Sequence, residues 1–128
     1  MTFDEWISEY GRAWREKDAD GVVALFTEDA VYRSSPFRDP HFGHDGIRAY
    51  WRRATDTQED VDLRFGTPIV TGDRDAVEWW AQMRSDGEEG TLPGMLYLRL
   101  APDGRCVELR ETWHWVAGRV PPYVGWGG

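Results

Sequence analysis

Cys106-Val107-Glu108-Leu109-Arg110-Glu111-Thr112-Trp113-His114-Trp115 alternates with a period of two. One register holds Val107, Leu109, Glu111, Trp113 and Trp115, and the other Cys106, Glu108, Arg110, Thr112 and His114. Such alternation is the pattern of a strand with one face buried and one solvated. Glu111 breaks it, a carboxylate between Leu109 and Trp113 on the apolar face. A charge there costs several kcal/mol unless it is paired, hydrogen-bonded or neutralised. Two readings follow: a structural ion pair with an arginine of a neighbouring strand, or a functional carboxyl in a pocket.

The segments before this run share its period. Pro102-Asp103-Gly104 is a turn, and the strand ahead of it covers Thr91 to Leu100, bent at Pro93-Gly94. Asp86-Gly87 is a hairpin signal. Ahead of it Val77, Trp79, Ala81 and Met83 face one way, and Glu78, Trp80, Gln82 and Arg84 the other. Gly72-Asp73 turns the chain, and Val61, Leu63 and Phe65 open a strand expected to run past Pro68 to Val70.

Further towards the N-terminus the period becomes 3.6. Thr2 and Glu5 form a capping-box pattern, followed by an apolar stripe of Phe3, Trp6, Ile7, Tyr10, Ala13 and Trp14. Asp18-Ala19-Asp20 caps a short helix expected to carry Val22, Val23, Leu25 and Phe26. Ala30 to Ser34 reads as a strand, stopped by Pro36. A third helix carries Ile47, Tyr50, Trp51 and Ala54. Between them lies a loop of turn residues holding Asp39, His41, His44 and Asp45. His41-x-x-His44 lacks a third convincing ligand, so no metal site is assigned. The tail from Ala117 is an irregular cover or a loose end.

Three helices followed by an antiparallel meander predict an α+β fold. A cone-shaped, curled antiparallel sheet, closed by the three N-terminal helices, would enclose an internal pocket. Residues 1–128 read as one domain. Of 128 residues 8 are Trp, a side chain that is rarely fully buried and that carries an N–H needing a partner. That many suggests pocket or interface walls.

The net charge of −8 argues against nucleic acid and anionic membranes as partners. No apolar run approaches the ~18 residues of a membrane span. The start, Met1-Thr2-Phe3-Asp4-Glu5, is not that of a signal peptide. A single cysteine, Cys106, allows no intrachain disulfide and fits a reducing cytoplasm.

Particular phrases carry a resemblance. In Lys17 to Val31, Asp18-Ala19-Asp20 precedes Ala24-Leu25-Phe26-Thr27-Glu28-Asp29-Ala30, matching a "D-x-D" followed by "ALF-x-x-DA". Gly43-His44-Asp45-Gly46-Ile47 matches a "G-x-x-x-I" entry to the third helix. Asp103-Gly104-Arg105 and Leu109-Arg110-Glu111 match a closing hairpin. Together these resemble the SnoaL-like branch of the nuclear transport factor 2-like superfamily over nearly the whole chain. That superfamily hosts isomerases, cyclases, dehydratases, epoxide hydrolases and plain binding proteins, so the likeness implies a fold more sharply than a reaction.

Carried over by residue, the resemblance places Tyr10 where the ketosteroid isomerase relatives have a tyrosine donating to an enolate oxygen. Their general base falls at Ser34 or Ser35 and their second acid at Leu96, which points away from steroid isomerisation by that mechanism. In the epoxide hydrolase and polyketide cyclase relatives, an inward acid on the last strand corresponds to Glu111. The arginine and aspartate those hydrolases use on a middle strand correspond to Trp79, Ala81 and Met83, which supply neither.

The sequence therefore predicts a pocket for a small apolar or aromatic molecule, lined by Tyr10, Trp14, Tyr32, Ser34, Trp51, Trp79, Met83, Leu96, Glu111 and Trp113. In an enzyme, Glu111 would be the general acid or base and Tyr10 would stabilise charge on a substrate oxygen. The reaction would be proton transfer beside a carbonyl, as in isomerisation, cyclisation or dehydration. No cofactor is expected and no phosphate-binding glycine motif is present. The rival reading is a non-catalytic ligand-binding or assembly module with Glu111 in a structural ion pair. A homodimer contact is expected on the outer sheet face, around Trp80, Met95 and Tyr97. Glu111 is expected to have a raised pKa.

Overall fold

A computed structural model describes residues 1–128. Helix α1 spans Phe3–Arg15, and the Thr2 hydroxyl caps it by accepting from the backbone N–H of Glu5 at 3.2 Å. Its inner stripe is buried from Phe3 to Trp14, with Trp6 and Tyr10 stacked at 4.9 Å between ring centres. Helix α2 covers only Ala19–Val23, held by Asp18 accepting from the Gly21 N–H at 2.9 Å. Leu25 and Phe26 were expected inside that helix, but Phe26 already begins strand β1, Phe26–Arg33. Both are buried all the same, because a short apolar run faces the core in either conformation.

The loop after β1 contains a two-residue strand, β2, His41–Phe42, paired with Val31 and Tyr32. Helix α3, Gly43–Asp56, then buries Ile47, Trp51 and Thr55. The expected strand through Pro68 is two strands, β3 over Gln58–Phe65 and β4 over Ile69–Thr71. Gly66-Thr67-Pro68 parts them, proline being unable to donate to a ladder. Strands β5, Arg74–Ser85, and β6, Glu88–Leu100, form a long hairpin. Its turn is Asp86-Gly87, with φ of 52° and 77°, the pair of positive angles that a two-residue hairpin turn needs. Strands β7, Cys106–Trp113, and β8, Val116–Ala117, complete the sheet.

The strand order is β2-β1-β7-β6-β5-β3, with β4 added to β5 and β8 to β6. The sheet is not wholly antiparallel: β1 lies parallel to β7, setting Tyr32 beside Leu109. Strand β7 is thus central, between β1 and β6. Its inward register is shorter than the alternation suggested. Arg99 pairs with Glu108 but Leu100 pairs with Cys106, leaving Val107 as an extra, bulged residue. The bulge reverses the alternation, so Cys106 is buried and Val107 is 37% exposed. At the other end β7 stops at Trp113, and Trp115 lies against Gly90 instead of continuing the inner face.

On the outer face the tail folds back as a cover. The Trp80 indole donates to the Val120 carbonyl at 2.9 Å, and its ring meets Tyr123 and Trp126 edge-on. Trp80 is therefore buried, not exposed as expected. Met95 remains open at 52%, with Tyr97 half-buried beside it. No helix is long and apolar enough to cross a membrane.

Candidate functional site

Between the helices and the concave face of the sheet lies a cavity of about 330 Å³. Strand β7 brings Glu111 and Trp113 to its wall, β5 brings Trp79, and β6 brings Leu92. Helix α1 contributes Trp14, and α3 contributes Tyr50, Trp51, Arg53 and Ala54. The segment after β1 supplies Ser34, Arg38 and His41. Six of the sequence-predicted residues line it: Trp14, Ser34, Trp51, Trp79, Glu111 and Trp113.

The remaining four do not. Met83 and Leu96 point inward but lie in the packed core, at 1% exposure each. Tyr32 and Tyr10 stand behind the wall, both fully buried. Tyr10 was expected to face a ligand directly. Its hydroxyl instead lies 3.1 Å from that of Tyr32, which in turn donates to Oε1 of Glu111 at 2.9 Å. The two phenols form a relay from the core to the carboxyl. Tyr10 is kept from the cavity by rings on several sides, Trp6 stacked on it and Trp51 edge-on at 5.4 Å.

Glu111 is the only acid in the cavity wall, and its carboxyl has no cation partner. Burial raises its pKa from the ordinary 4.5 to about 8, against the opposing pull of the Tyr32 hydrogen bond. Near pH 7 the carboxyl is mostly protonated and the ion-pair reading fails. Burial raises the pKa values of Tyr10 and Tyr32 further still, so both remain neutral donors.

Several wall residues escaped the sequence reading. His41 was noted only as a loop histidine. Strand β2 aligns it with Tyr32, its ring stacks on Tyr50 at 4.4 Å, and its Nε2 lies 3.3 Å from the Ser34 hydroxyl. Burial, helped by Arg53 and Arg38, lowers its pKa and favours the neutral imidazole. His44 faces elsewhere, 2.9 Å from the Phe26 carbonyl, so the two histidines do not converge. No group of three His, Cys, Asp or Glu side chains gathers in a way that could hold a metal ion. Tyr50 and Ala54 belong to the apolar stripe of α3 from which only Trp51 had been drawn. Leu92 shares the parity of Leu96 along β6 and could have been found by continuing the count across Pro93.

Two tryptophans leave a polar group unanswered. The Nε1 atoms of Trp51 and Trp79 are buried with no hydrogen-bond partner, whereas Trp14 donates to Gln58 at 2.8 Å and Trp113 to the Ser34 carbonyl at 2.9 Å. A buried N–H without an acceptor costs about 1–3 kcal/mol. Trp79 is fixed by close approach to the sheet: a Cβ at Gly94 would lie 2.3 Å from its ring.

The profile of the SnoaL-like domain family matches residues 7–109. No curated protein matches the chain in sequence. Among solved structures, the epoxide hydrolase/cyclase-like enzyme SalBIII, which has a role in pyran ring formation in the polyether salinomycin, is 24% identical. The match covers 87% of this chain and 89% of that one, with a TM-score of 0.76. A Catenulispora acidiphila DSM 44928 protein with a ketosteroid isomerase-like fold, solved with trimethylamine, is 17% identical over 84% of each chain, with a TM-score of 0.76. A Shewanella denitrificans OS-217 protein named as a SnoaL-like polyketide cyclase is 17% identical, covering 87% of this chain and 89% of its own, with a TM-score of 0.75. At these identities the likeness to the three structures is one of fold.

Proposed function

The chain belongs to the SnoaL-like domain family, and from that premise we propose that it is a proton-transfer enzyme acting on a small, largely apolar carbonyl compound. The reaction class is isomerisation, cyclisation or dehydration without a cofactor. The observation that carries this reading is Glu111, a cation-free carboxyl in the cavity wall with a pKa of about 8. A group titrating close to neutral pH can give a proton and take one back within a turnover. Tyr32 holds one carboxyl oxygen in place, leaving the other for the substrate. Tyr10 acts through Tyr32 as a positioning residue.

Neutral His41, beside Ser34, offers a second proton acceptor on the same wall. Aromatic faces from Trp14, Trp51 and Trp113 suit an apolar or aromatic body.

The test is a screen of unsaturated ketones and β-hydroxy carbonyl compounds for solvent deuterium incorporation at the carbon beside the carbonyl. Exchange by the wild-type protein that Glu111→Gln abolishes is the expected result. Binding without exchange would establish the non-catalytic alternative. We also propose a homodimer through the outer face, centred on Met95 and Tyr97, and residence in the reducing cytoplasm, which suits the lone buried Cys106. Sedimentation showing a monomer at micromolar concentration would end the dimer proposal.

A further inference from the structure

Charge is unevenly placed in this cavity. The chain carries a net −8, yet its wall holds Arg38 and Arg53 and no ionised carboxylate. The two arginines come from different elements, Arg38 from the turn between β1 and β2 and Arg53 from the last turn of α3. Both are exposed, which places their side chains at the mouth, while Glu111 is buried at the sheet. Seven of the fourteen arginines are held in ion pairs with Asp or Glu; Arg38 and Arg53 are among the seven with no such partner. What sets Arg38 and Arg53 apart is their place: two unpaired guanidiniums share the opening of this one cavity. Their field reaches inward, since both bear on the ionisation of His41 and of Tyr50.

We propose that the molecule taken into this cavity carries a carboxylate, which Arg38 and Arg53 hold at the mouth while its apolar body reaches past Trp14, Trp51 and Trp113 towards Glu111. The proposal rests on the reading of the cavity as a substrate site and names the class of that substrate. Guanidinium presents a planar fork of donors that matches a carboxylate, and partial shielding by the aromatic wall strengthens the pairing. The arrangement also fixes direction. A carboxylate is repelled from Glu111 whenever that group ionises, and the wall offers no cation other than the two arginines. The acid end therefore stays outside and the reacting end goes in. A monoanion also meets less long-range repulsion from the acidic chain than a phosphate dianion would.

The experiment is calorimetric titration with 2-naphthoate and its uncharged isostere 2-naphthamide, at neutral pH and low salt. It uses the wild-type protein, Arg38→Gln, Arg53→Gln and the double variant. Both positions are exposed, and circular dichroism checks that each variant is folded. The expected result is about tenfold tighter binding of naphthoate than of naphthamide by wild type. That preference should fall stepwise to parity in the double variant and shrink with added salt, with naphthamide affinity constant throughout. Equal binding of the two probes by wild type, or a preference that survives in the double variant, would overturn the carboxylate assignment but leave the cavity as a ligand site. Failure of both probes to bind would overturn the assignment together with the reading beneath it.

Discussion

The Tyr32 hydroxyl donates to Oε1 of Glu111 across 2.9 Å, joining β1 to β7 through side chains where the two strands run parallel. Behind it the Tyr10 hydroxyl lies 3.1 Å away. The carboxyl is thus held by a relay of neutral phenols and by no cation. Desolvation and the hydrogen bond pull its pKa in opposite directions, and desolvation is the larger effect.

Removing the phenol separates these forces. In Tyr32→Phe the carboxyl loses the bond that favours its ionised form, so its pKa is expected to rise above 8. The Tyr10 hydroxyl loses its only partner at the same time, and a stability loss of about 1–3 kcal/mol is expected. Infrared titration of the protonated carboxyl band checks the first outcome and urea unfolding the second. An unchanged or lowered pKa would show that the relay does not set the ionisation of Glu111.

Gly94 matters because Trp79 lies against it. A Cβ there would approach the indole to 2.3 Å, and that ring also meets Trp14 edge-on at 5.2 Å. Gly94→Ala is expected to push Trp79 into the cavity and destabilise by about 1–3 kcal/mol, the usual cost of overpacking. Binding of 2-naphthamide should weaken in proportion. Retained stability with retained binding would mean that the sheet yields at this point.

The tail is expected to contribute stability rather than chemistry. Deleting residues 119–128 removes the Val120 carbonyl that accepts from Trp80 and Gln82, together with the rings of Tyr123 and Trp126. A loss of about 2–4 kcal/mol is expected from the uncovered indole and its unmet N–H. Probe binding in the cavity should persist, because no tail residue lines it. Loss of binding in a folded deletion variant would refute this division.

What could be read from residue order was whatever a period expresses. The stripe of α1, the alternation of β5 and the Asp86-Gly87 turn are local patterns, and the structure matches each of them. Glu111 stood out for the same reason, as one charge in an apolar register. What escaped depends on partners far along the chain. The bulge at Val107 exists because β6 and β7 fall out of step, and no property of Val107 announces it. Trp80 looked exposed on its strand and is covered by residues some forty positions later. Tyr10 and Tyr32 were placed on the correct elements, but depth along a side chain is not a periodic property. Only packing against Trp6 and Trp51 puts them one layer behind the wall.

The pH dependence of stability gives the strictest test of Glu111. Its pKa is raised from 4.5 in the unfolded chain to about 8 in the folded one. Between these values the unfolded state has released the proton and the folded state has kept it. Stability due to this group is thus fully present below pH 4.5 and is lost as pH rises through 8. The slope over that window is about −1.4 kcal/mol per pH unit for a fully titrating site, an upper bound for a real protein. Other groups titrate in the same range, so the quantity to measure is wild type against Glu111→Gln. The amide is neutral at every pH and can still accept from Tyr32. The variant is therefore expected to match the wild type near pH 5 and to become the more stable of the two, by a few kcal/mol, near pH 8. A buried ion pair would give the opposite result. There Glu111→Gln would strand an arginine and lose about 3–5 kcal/mol at neutral pH. Urea unfolding of both proteins across this range decides the matter, and a variant that is less stable than wild type at pH 8 would exclude Glu111 as a neutral acid poised for proton transfer.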